Sequence, residues 1–591
     1  MAAAGGARVL RGVSASPGVA VGAALVHDRR RILIAPQTVE PAERGSERAR
    51  LEAALEESRR IVAAARDNLP DDTLADHKLV LESHVLMHKD ELFVGGALNA
   101  IEEGASAAFA LRKTGDAIAA RLRMAQAPYL RERARDVEDV TDHVLGVMLG
   151  RRSVVPKAGK KSVLVAYDLS PAETAQLDPD EIVAVVTEHG SSTSHTAVLA
   201  RALHIPAVVG VAGLMLAVHG GARIIVDSLR GEVVVDPDDE EQKRAVSRAR
   251  RYKTFTKRLR ERRASTTGTR DGVRVELAAN LELTRELEDT LIAGADGVGL
   301  FRTEFLYANK EAPDEEQQLA AYRELAEKLA PRPVTLRTFD LGSDKLPGFA
   351  ITHAPILRGP NPALGLRGIR LALARPELFQ TQLRAVLRAA VNGNVEIMFP
   401  MIATLGELQA ARRALDRAAA SLEGSGHAFG KPRIGVMIEV PSAVVTIEHL
   451  LEEADFVSIG TNDLAQYTLA IDREDPALGH LRAALEPAVL VMIRAVQRAA
   501  SHAGKPATVC GDLAAHPYAV PILVGLGLRR LSMPPTDVPY VRELLSVLSL
   551  ADCEDVAARA VAARSASEVE AAVVGQLSPK LKSLWRERGL E

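Results

Sequence analysis

The sequence predicts a multidomain α/β protein, in which an α/β domain carries an inserted helical bundle and is followed by a (β/α)8 barrel. Three observations predict this fold. From residue 272 onward, a short apolar run, a polar residue at its end and a helical stretch recur about eight times. Residues 38–149 have helical periodicity and almost no strand pattern. The β-branched runs Ser162–Tyr167 and Ile182–Thr187 predict strands of a separate α/β unit.

The composition is that of a globular protein in a reducing compartment. Hydrophobic residues make up 47% of the 591-residue chain, and the formal net charge is -3, so no global basic field attracts nucleic acid. The two cysteines, Cys510 and Cys553, exclude a disulfide framework. The chain has neither an apolar run of about 18 residues nor the apolar core of a signal peptide. We therefore expect a cytoplasmic protein that binds neither nucleic acid nor a membrane.

The first part of the chain is predicted to contain three structural blocks. Gly12–Val26 is a short strand-like start, a helical block follows, and the third block has an α/β pattern. Glycine and proline breaks divide residues 38–149 into several antiparallel helices. Within the α/β domain, Ala222–Val235 has the pattern of a β-hairpin.

Residues 239–271 are predicted to link this part of the chain to the barrel. Asp239–Arg263 is a charged, mainly basic helical segment without Pro or Gly, and Ser265–Gly272 then breaks the pattern. A basic helix of this kind is either a solvated linker or a patch for nucleic acid or a membrane. The linker is favoured, because a run of charges is usually the solvated face of a helix.

Residues 272–591 are predicted to form the barrel, with a doubly wound sheet as the alternative. The eighth strand has the weakest pattern. The strand candidates are Val273–Ala279, Gly297–Phe301, Val334–Phe339, Val395–Pro400, Ile434–Ile438, Phe456–Ile459, Ala507–Val509 and Leu531–Met533.

Polar residues follow these strands at the rim where such barrels build their active sites. Paired arginines can fork onto phosphate or carboxylate oxygens, and Glu439 and Asp463 can share a hard cation. A single charged residue at a strand end is more often a helix cap or a salt-bridge partner. Recurrence at equivalent positions favours instead a small phosphate ester held with Mg²⁺. The rim residues are Asn280, Arg302, Glu304, Arg337, Asp340, Met401, Glu439, Asn462, Asp463 and Cys510, and the nearby loops add Lys345, Arg367 and Arg473.

Cys510 has two interpretations. It ends an apolar strand, and a cysteine in that position is usually a small core residue. At the rim, beside a cation site and arginines, it can instead act as a general acid or base.

His195 begins a helix after a turn of small residues, in the segment TEHGSSTSHTAVLARALH (187–204). Such a turn leaves backbone N–H groups open to an anion near the imidazole. Neutral imidazole, with a pKa of about 6.5, is a good phosphoryl acceptor. An isolated histidine there is more often a cap or a core residue, and that interpretation is kept for His189 and His204.

Several motifs, taken together, resemble a known family. TSHTAVLAR (193–201) resembles the phosphohistidine signature of the phosphoenolpyruvate-utilising enzymes. Seven further segments, in the same order along nearly the whole chain, resemble Enzyme I of the bacterial phosphotransferase system. They are SASPGVAVG (14–22), GLFRTEFL (299–306), RTFD (337–340), NPALGLRGIR (361–370), MIEVPSA (437–443), SIGTNDLAQYTLAIDR (458–473) and CGDLA (510–514).

The resemblance implies an overall organisation and two protein partners. It implies a swivelling phosphohistidine domain (1–37 and 150–238) and a helical subdomain (38–149) that docks the phosphocarrier protein HPr. It also implies a barrel (272–591) that binds phosphoenolpyruvate and forms a homodimer. The expected activity is phosphoryl transfer from phosphoenolpyruvate to the enzyme's own histidine and then to HPr, as the first step of sugar uptake.

The resemblance also implies roles for individual residues. His195 matches the phosphorylated histidine, and Cys510 the residue that protonates the enolate to give pyruvate. Glu439 and Asp463 match the Mg²⁺ ligands. The matching substrate contacts, with Asp463 among the residues of that pocket, are Arg302, Arg337, Lys345, Arg367, Asn462 and Arg473.

Some positions depart from the family pattern, and rival functions remain. Ser191 and Ser343 replace glycines, and Asp512 replaces the usual Glu, which puts reaction rate and partner choice in doubt. A dikinase or synthase of the same superfamily would need a nucleotide-binding domain, and the helical insert has no Gly-rich phosphate loop. A regulatory, nitrogen-type paralogue that acts on a related carrier is a second rival, and a non-catalytic binding relic is a third.

Overall fold

The structure is a computed structural model, and the chain in it divides into two compact units. One comprises Met1–Phe255 and Glu587–Glu591, and the other comprises Thr256–Arg586. The residues that the structure describes are 8–27, 34–67, 75–124, 128–150, 161–169, 173–174, 177–178, 180–190, 195–203, 205–261, 267–307, 312–342, 362–472 and 485–588.

The first unit contains a mixed eight-stranded sheet in the spatial order β1-β8-β7-β3-β4-β5-β6-β2. The central strands β3 to β6 are parallel, and β7 and β8 form the predicted antiparallel hairpin. Val, Ile and Ala side chains from both faces of the strands are fully buried. The strands are Arg8–Arg11 (β1), Val13–Ser16 (β2), Val19–His27 (β3), Ser162–Ala166 (β4), Ile182–Thr187 (β5), Ala207–Val209 (β6), Arg223–Asp227 (β7) and Glu232–Val235 (β8).

A helical bundle is inserted between β3 and β4. Its core is built from Leu51, Ile101, Leu111, Val144 and Leu145, all fully buried, which recur at helical spacing on the inward faces. In the described residues, the α-helices of the insert are Arg44–Asp67 (α1), Ala75–Met87 (α2), Gly96–Glu102 (α3), Ala107–Arg123 (α4) and Pro128–Met148 (α5).

Three α-helices can be followed in the described residues between 161 and 261. The first begins at His195, and the last is the predicted charged helix. They are His195–Ala202 (α6), Leu214–Ala217 (α7) and Asp239–Glu261 (α8).

The second unit is a closed barrel of eight parallel strands, which confirms the predicted (β/α)8 fold and excludes the doubly wound sheet. Each strand pairs in parallel with its neighbours in the chain, and the last pairs with the first. The strands are Glu276–Leu281 (β9), Val298–Arg302 (β10), Val334–Arg337 (β11), Val395–Phe399 (β12), Arg433–Ile438 (β13), Phe456–Ile459 (β14), Ala507–Val509 (β15) and Arg530–Met533 (β16).

Helices surround the barrel and follow its strands. Two caps illustrate the local reason for their positions: Asp314 and Thr404 each accept a hydrogen bond from the backbone N–H three residues later. The α-helices are Leu287–Ala293 (α9), Glu315–Leu329 (α10), Ile369–Ala374 (α11), Pro376–Ala389 (α12), Leu405–Gly424 (α13), Pro441–Val445 (α14), Ile447–Glu453 (α15), Thr461–Leu469 (α16), Pro487–His502 (α17), Ala519–Gly525 (α18), Val538–Ser546 (α19), Leu550–Ala562 (α20) and Ala566–Glu587 (α21).

Candidate active site

The carboxyl ends of the barrel strands carry most of the predicted site residues. Arg302 and Arg337 are the last residues of β10 and β11. Glu439 directly follows β13, and Cys510 directly follows β15. Asp463 lies in the first turn of α16, the helix after β14. Because parallel barrel strands end at one rim, the fold gathers these residues on the same side of the barrel.

Arg337 is buried between carboxylates. Its Nη2 donates a hydrogen bond to Glu304 Oε1 at 3.0 Å, and its Nη1 lies 3.3 Å from Asp340 Oδ2. The backbone N–H of Asp340 donates to the same Glu304 oxygen at 2.5 Å. Burial by itself lowers the pKa of Arg337, but the carboxylates of Glu304 and Asp340 raise it above its ordinary value. The guanidinium is therefore a permanent cation at the rim.

Arg367 lies between two further carboxylates. Its Nε and Nη2 donate to the two oxygens of Asp340, both at 3.0 Å. Its Nη1 and Nη2 donate to Asp463 Oδ1 and Oδ2 at 3.0 and 3.1 Å. Asp340 thus contacts both Arg337 and Arg367 and ties the two cations into one network.

Glu439 is almost completely buried, with 1% of its surface exposed. Its Oε1 accepts a hydrogen bond from the backbone N–H of Met401 at 2.7 Å. Met401 has a φ of 57°, in the left-handed region that residues other than glycine seldom adopt. Burial, followed by the negative charges of Asp463 and Asp340, raises the pKa of Glu439 well above the usual carboxyl range.

Among the described residues, this network contains more carboxylates than cations. When all groups are ionised, its four carboxylates outnumber its two guanidinium groups by two charges, which a divalent cation can balance. No group of three or more His, Cys, Asp or Glu side chains in the described part of the chain is arranged to hold a metal. Mg²⁺ is commonly held by one or two carboxylates with substrate phosphate and water, so the donor set fits that ion. The groups are Glu304, Asp340, Glu439 and Asp463 with Arg337 and Arg367.

Cys510 belongs to the barrel interior and also to the rim. Its thiol lies in the buried cluster with Leu300, Met398 and Met437, and 2% of the residue is exposed. Burial raises the pKa of the thiol to about 11, and Glu439 adds to the shift. The thiol therefore keeps its proton at neutral pH, as a proton donor must.

Asn462 joins two neighbouring loops at the rim. Its Oδ1 accepts a hydrogen bond from the backbone N–H of Asp512 at 2.9 Å. Gly511 makes this approach possible, because a Cβ atom there would lie 2.1 Å from Thr461 Oγ1 and 2.8 Å from Asn462 Oδ1. The residues after Cys510 are thereby held against the start of α16.

Comparison with known proteins identifies the family. The family model described as "PEP-utilising enzyme, PEP-binding domain" matches residues 256–550, and those for the mobile and N-terminal domains match 158–231 and 11–133. A phosphoenolpyruvate-protein phosphotransferase of Priestia megaterium is 37% identical over 553 residues, which are 92% of this chain and 95% of the relative. One from Geobacillus stearothermophilus is 36% identical over 95% of this chain and 97% of its own.

This chain belongs to the phosphoenolpyruvate-protein phosphotransferase family. A solved structure titled "NMR solution structure of Enzyme I (nEIt) protein using two 4D-spectra" is 30% identical over 41% of this chain and 99% of its own, with a TM-score of 0.36. Within this phosphotransferase, the described residues contain no helix that is both long and apolar enough to cross a membrane.

The structure places the predicted residues of the phosphotransferase in three groups. Direct contacts bring Arg337, Arg367 and Asp463 into one network, to which Glu439 is coupled by charge. Arg302 instead pairs with Glu282 at 2.5 Å. Asn462 lies in the first turn of α16, and Cys510 directly follows β15 at the adjoining part of the rim. Lys345 and Arg473 lie outside the described residues, as do Ser191, Ser192 and Ser343.

The predicted phosphoryl acceptor, His195, is the first residue of α6, and its side chain is outside the described part of the chain. The preceding turn is well anchored: the N–H of His189 donates to Tyr167 O at 2.8 Å, and the two rings stack with centroids 5.9 Å apart. Gly190 has a φ of 118°, which only glycine adopts readily. Glycine at position 190 therefore permits the backbone conformation found just before the segment that leads to His195.

One residue of the network, Tyr467, was not singled out by the sequence. Its hydroxyl accepts a hydrogen bond from Arg367 Nη1 at 3.4 Å and donates one to Ala363 O at 2.5 Å. The sequence does contain a signal for Tyr467, since it lies four residues after Asp463 and therefore on the same face of α16.

Proposed function

We propose that this chain transfers the phosphoryl group of phosphoenolpyruvate to its own His195 and then to the phosphocarrier protein HPr, releasing pyruvate. One observation carries the proposal. Arg337, Arg367, Glu439 and Asp463 gather at the carboxyl rim of the barrel, inside the segment matched by the phosphoenolpyruvate-binding family model. Two cations beside an excess of carboxylates suit an anionic phosphate ester accompanied by a divalent cation. The sugar phosphotransferase system is the pathway we assign.

The proposed chemistry begins with substrate binding at this rim. Arg337 and Arg367 hold the anionic oxygens of phosphoenolpyruvate, with Arg302, Asn462, Lys345 and Arg473 as further contacts. Glu439 and Asp463 would hold Mg²⁺, on which enzymes of this family generally depend. When bound, the ion supplies positive charge to the phosphate oxygens.

The phosphoryl transfer step then needs an acceptor and a proton donor. The imidazole nitrogen of His195 forms a bond to phosphorus as the bond from phosphorus to the enol oxygen breaks. The enolate that remains takes a proton on carbon from the Cys510 thiol, which gives pyruvate. The raised pKa of Cys510 supports this role, because the thiol carries the proton before the reaction. Solvent returns a proton to the thiolate.

The same proposal assigns a task to each part of the chain. Residues 1–37 and 150–238 carry the phosphohistidine, and residues 38–149 dock HPr. Residues 239–271 link this domain to the barrel. Residues 272–591 bind the substrate and form a homodimer. The proposed cellular location is the cytoplasm.

Labelling with phosphoenolpyruvate that carries radioactive phosphorus tests the proposal directly. With Mg²⁺ present, the protein should become labelled on one histidine, through a bond that is labile in acid and stable in alkali, as phosphoramidates are. His195→Ala should abolish the label, and the exposed His219→Ala is the matched control that should keep it. Labelling that survives His195→Ala would show that the acceptor is another residue.

A further inference from the structure

Every N–H group of the Arg367 guanidinium is directed at an oxygen of the protein. Arginine has five such groups. Nε and one hydrogen of Nη2 are directed at Asp340, and the second hydrogen of Nη2 and one of Nη1 at Asp463. The remaining hydrogen of Nη1 is directed at the hydroxyl of Tyr467, 3.4 Å away. In this arrangement Arg367 has no donor left for a substrate oxygen.

The two carboxylates hold Arg367 in different ways. Asp340 binds the side edge formed by Nε and Nη2, its side chain is 2% exposed, and it also contacts Arg337 at 3.3 Å. Asp463 binds the outer edge formed by Nη1 and Nη2. Asp340 thus contacts two arginines, whereas the outer edge of Arg367 faces Asp463, the residue assigned to the cation.

The backbone that carries Arg367 is itself fixed. Tyr467 binds the carbonyl oxygen of Ala363. Gly368 has a φ of 56°, and a Cβ atom there would lie 2.8 Å from Met401 Cγ and 3.0 Å from Asp340 Oδ1. The segment therefore stays in place while the end of the long side chain moves.

A divalent cation at Asp463 has to compete with this guanidinium. Both Asp463 oxygens already accept a hydrogen bond from a positive group about 3 Å away. Each oxygen has a second lone pair, but a guanidinium in that position repels a cation that approaches it. Metal binding and the Arg367–Asp463 pair therefore oppose each other.

We infer that Arg367 and the divalent cation exchange on Asp463, so that cation binding releases the outer edge of Arg367 for an oxygen of the anionic substrate. This inference rests on the proposed function, since it takes the cation and phosphoenolpyruvate as the ligands of that site. Linkage then requires that the cation and the substrate each strengthen the binding of the other.

Mn²⁺ binding to the full-length protein without substrate tests the exchange, with free Mn²⁺ measured by electron paramagnetic resonance. Arg367→Gln removes the competing charge. Arg367→Lys keeps the charge but, with a single ammonium group, cannot fork onto both carboxylates. We expect Arg367→Gln to bind Mn²⁺ about tenfold more tightly than the wild type, a coupling of ordinary size for linked sites. Arg367→Lys keeps the repelling charge but loses the two-sided contact, so its Mn²⁺ affinity should lie between those of the wild type and Arg367→Gln. Arg370→Gln, which removes a neighbouring arginine paired with Glu407, should bind Mn²⁺ as the wild type does.

The lysine variant separates exchange from a general charge effect. If only Arg367→Gln tightens Mn²⁺ binding, net charge is the cause and the inference is wrong. Unchanged Mn²⁺ affinity in both variants also overturns it. Should neither variant fold, calorimetry on the wild type keeps the exchange falsifiable, because equal affinity for phosphoenolpyruvate with and without Mg²⁺ contradicts it.

Failure of the exchange is distinguishable from failure of the proposed function. The same wild-type preparation is assayed for labelling by phosphoenolpyruvate. Labelling together with unchanged Mn²⁺ affinity in the variants removes only the exchange. Absence of labelling removes the proposed function, and the Mn²⁺ comparison then reports on the cation site alone.

Discussion

The thiol of Cys510 packs in the barrel core, and the proposed function gives it a chemical role as well. The side chain fills part of the barrel core beside Met398 and Met437, so it contributes to the packing of that core. The same burial raises the pKa of the thiol to about 11 and keeps the proton in place. The backbone carbonyl of Cys510 accepts a hydrogen bond from Asn280 at 2.9 Å, which fixes the strand end.

Replacing Cys510 by alanine should separate binding from proton transfer. The substitution removes a proton donor and no charge, so phosphoenolpyruvate should bind with nearly unchanged affinity. Formation of pyruvate should slow about 10²- to 10³-fold, the usual contribution of a general acid. Calorimetry measures the binding, and a coupled pyruvate assay measures the turnover. The control is Cys553→Ala, the other buried cysteine, and near-normal turnover in Cys510→Ala would leave only its core role.

At this scale the sequence predicted which residues lie at the rim, but not how they pair. Strand ends identify Arg337, Glu439 and Asp463, because the position of a residue in the repeat decides where it lies. The contacts of Arg367 with two aspartates depend on the path of the loop that carries this arginine. Met401 has a positive φ and lies close to Gly368. No local sequence pattern predicts either feature.

In the helical bundle, a buried hydrogen-bonded chain joins three helical segments. Ser58 on α1 contacts His88 Nε2 at 2.7 Å and His143 Nδ1 on α5 at 2.6 Å. His88 Nδ1 lies 2.7 Å from the carbonyl oxygen of His84 on α2 and donates to it, because a carbonyl only accepts. In its neutral form His88 then accepts from Ser58 through Nε2.

The bundle should consequently lose stability in acid. Burial is the main reason that the pKa of His88 falls from 6.5 to about 4, and the charges of His84 and Arg59 act in the same direction. The unfolded chain takes up a proton as the pH falls through 6.5, whereas the folded bundle takes it up only near 4. The contribution of neutral His88 to the free energy of unfolding is fully present above about pH 6.5. Roughly 3 kcal/mol of it is lost as the pH falls to 4.

Hydrogen exchange of the full-length protein measures this loss. Protection of α1, α2 and α5, corrected for the intrinsic pH effect on exchange, should fall between pH 7 and 4.5. His88→Leu should remove most of the pH dependence, while His219→Gln, at an exposed histidine, should retain it. Equal pH dependence in the wild type and His88→Leu would show that other groups control acid stability.

The sequence predicted the positions of the barrel strands well and their ends less well. The ends depend on contacts with residues that are not adjacent in the chain. β11 was expected to reach Phe339 but ends at Arg337. The N–H of Phe339 donates to the side chain of Gln382, so it is not available for pairing between strands. β9 begins at Glu276, three residues later than expected, because Arg274 forms an antiparallel bridge with Gly268.

At the scale of the whole molecule, each of the two compact units has a hydrophobic core of its own. In the first unit the sheet buries Val163, Val186 and Val226, and the helical bundle has its separate core. In the second unit the closed barrel and its helices bury their own large side chains, including Tyr322 and Trp585. Units with independent cores can be expected to fold alone.

The domain boundaries and the dimer remain predictions of the sequence. Contacts divide the chain between Phe255 and Thr256, within the charged helix α8, and the sequence placed a linker over 239–271. A pattern of charges identifies a solvated helix, but it does not show which residues attach that helix to its domain. One such attachment is the ion pair between Arg248 on α8 and the buried Asp227 on β7.

Separated fragments should each perform one half of the proposed reaction. Residues 1–260 contain His195 and the helical bundle, so this fragment should accept phosphate from the phosphorylated carrier protein. It should not react with phosphoenolpyruvate, because the arginines and carboxylates of the rim lie beyond residue 280. Residues 262–591 should bind phosphoenolpyruvate with Mg²⁺ and never become phosphorylated. The proposed reaction requires the two sites to meet for the first transfer and to separate for the second, so we predict a domain reorientation during the cycle. Labelling of the fragment 1–260 by phosphoenolpyruvate alone would show that the substrate site lies in the first unit and not in the barrel.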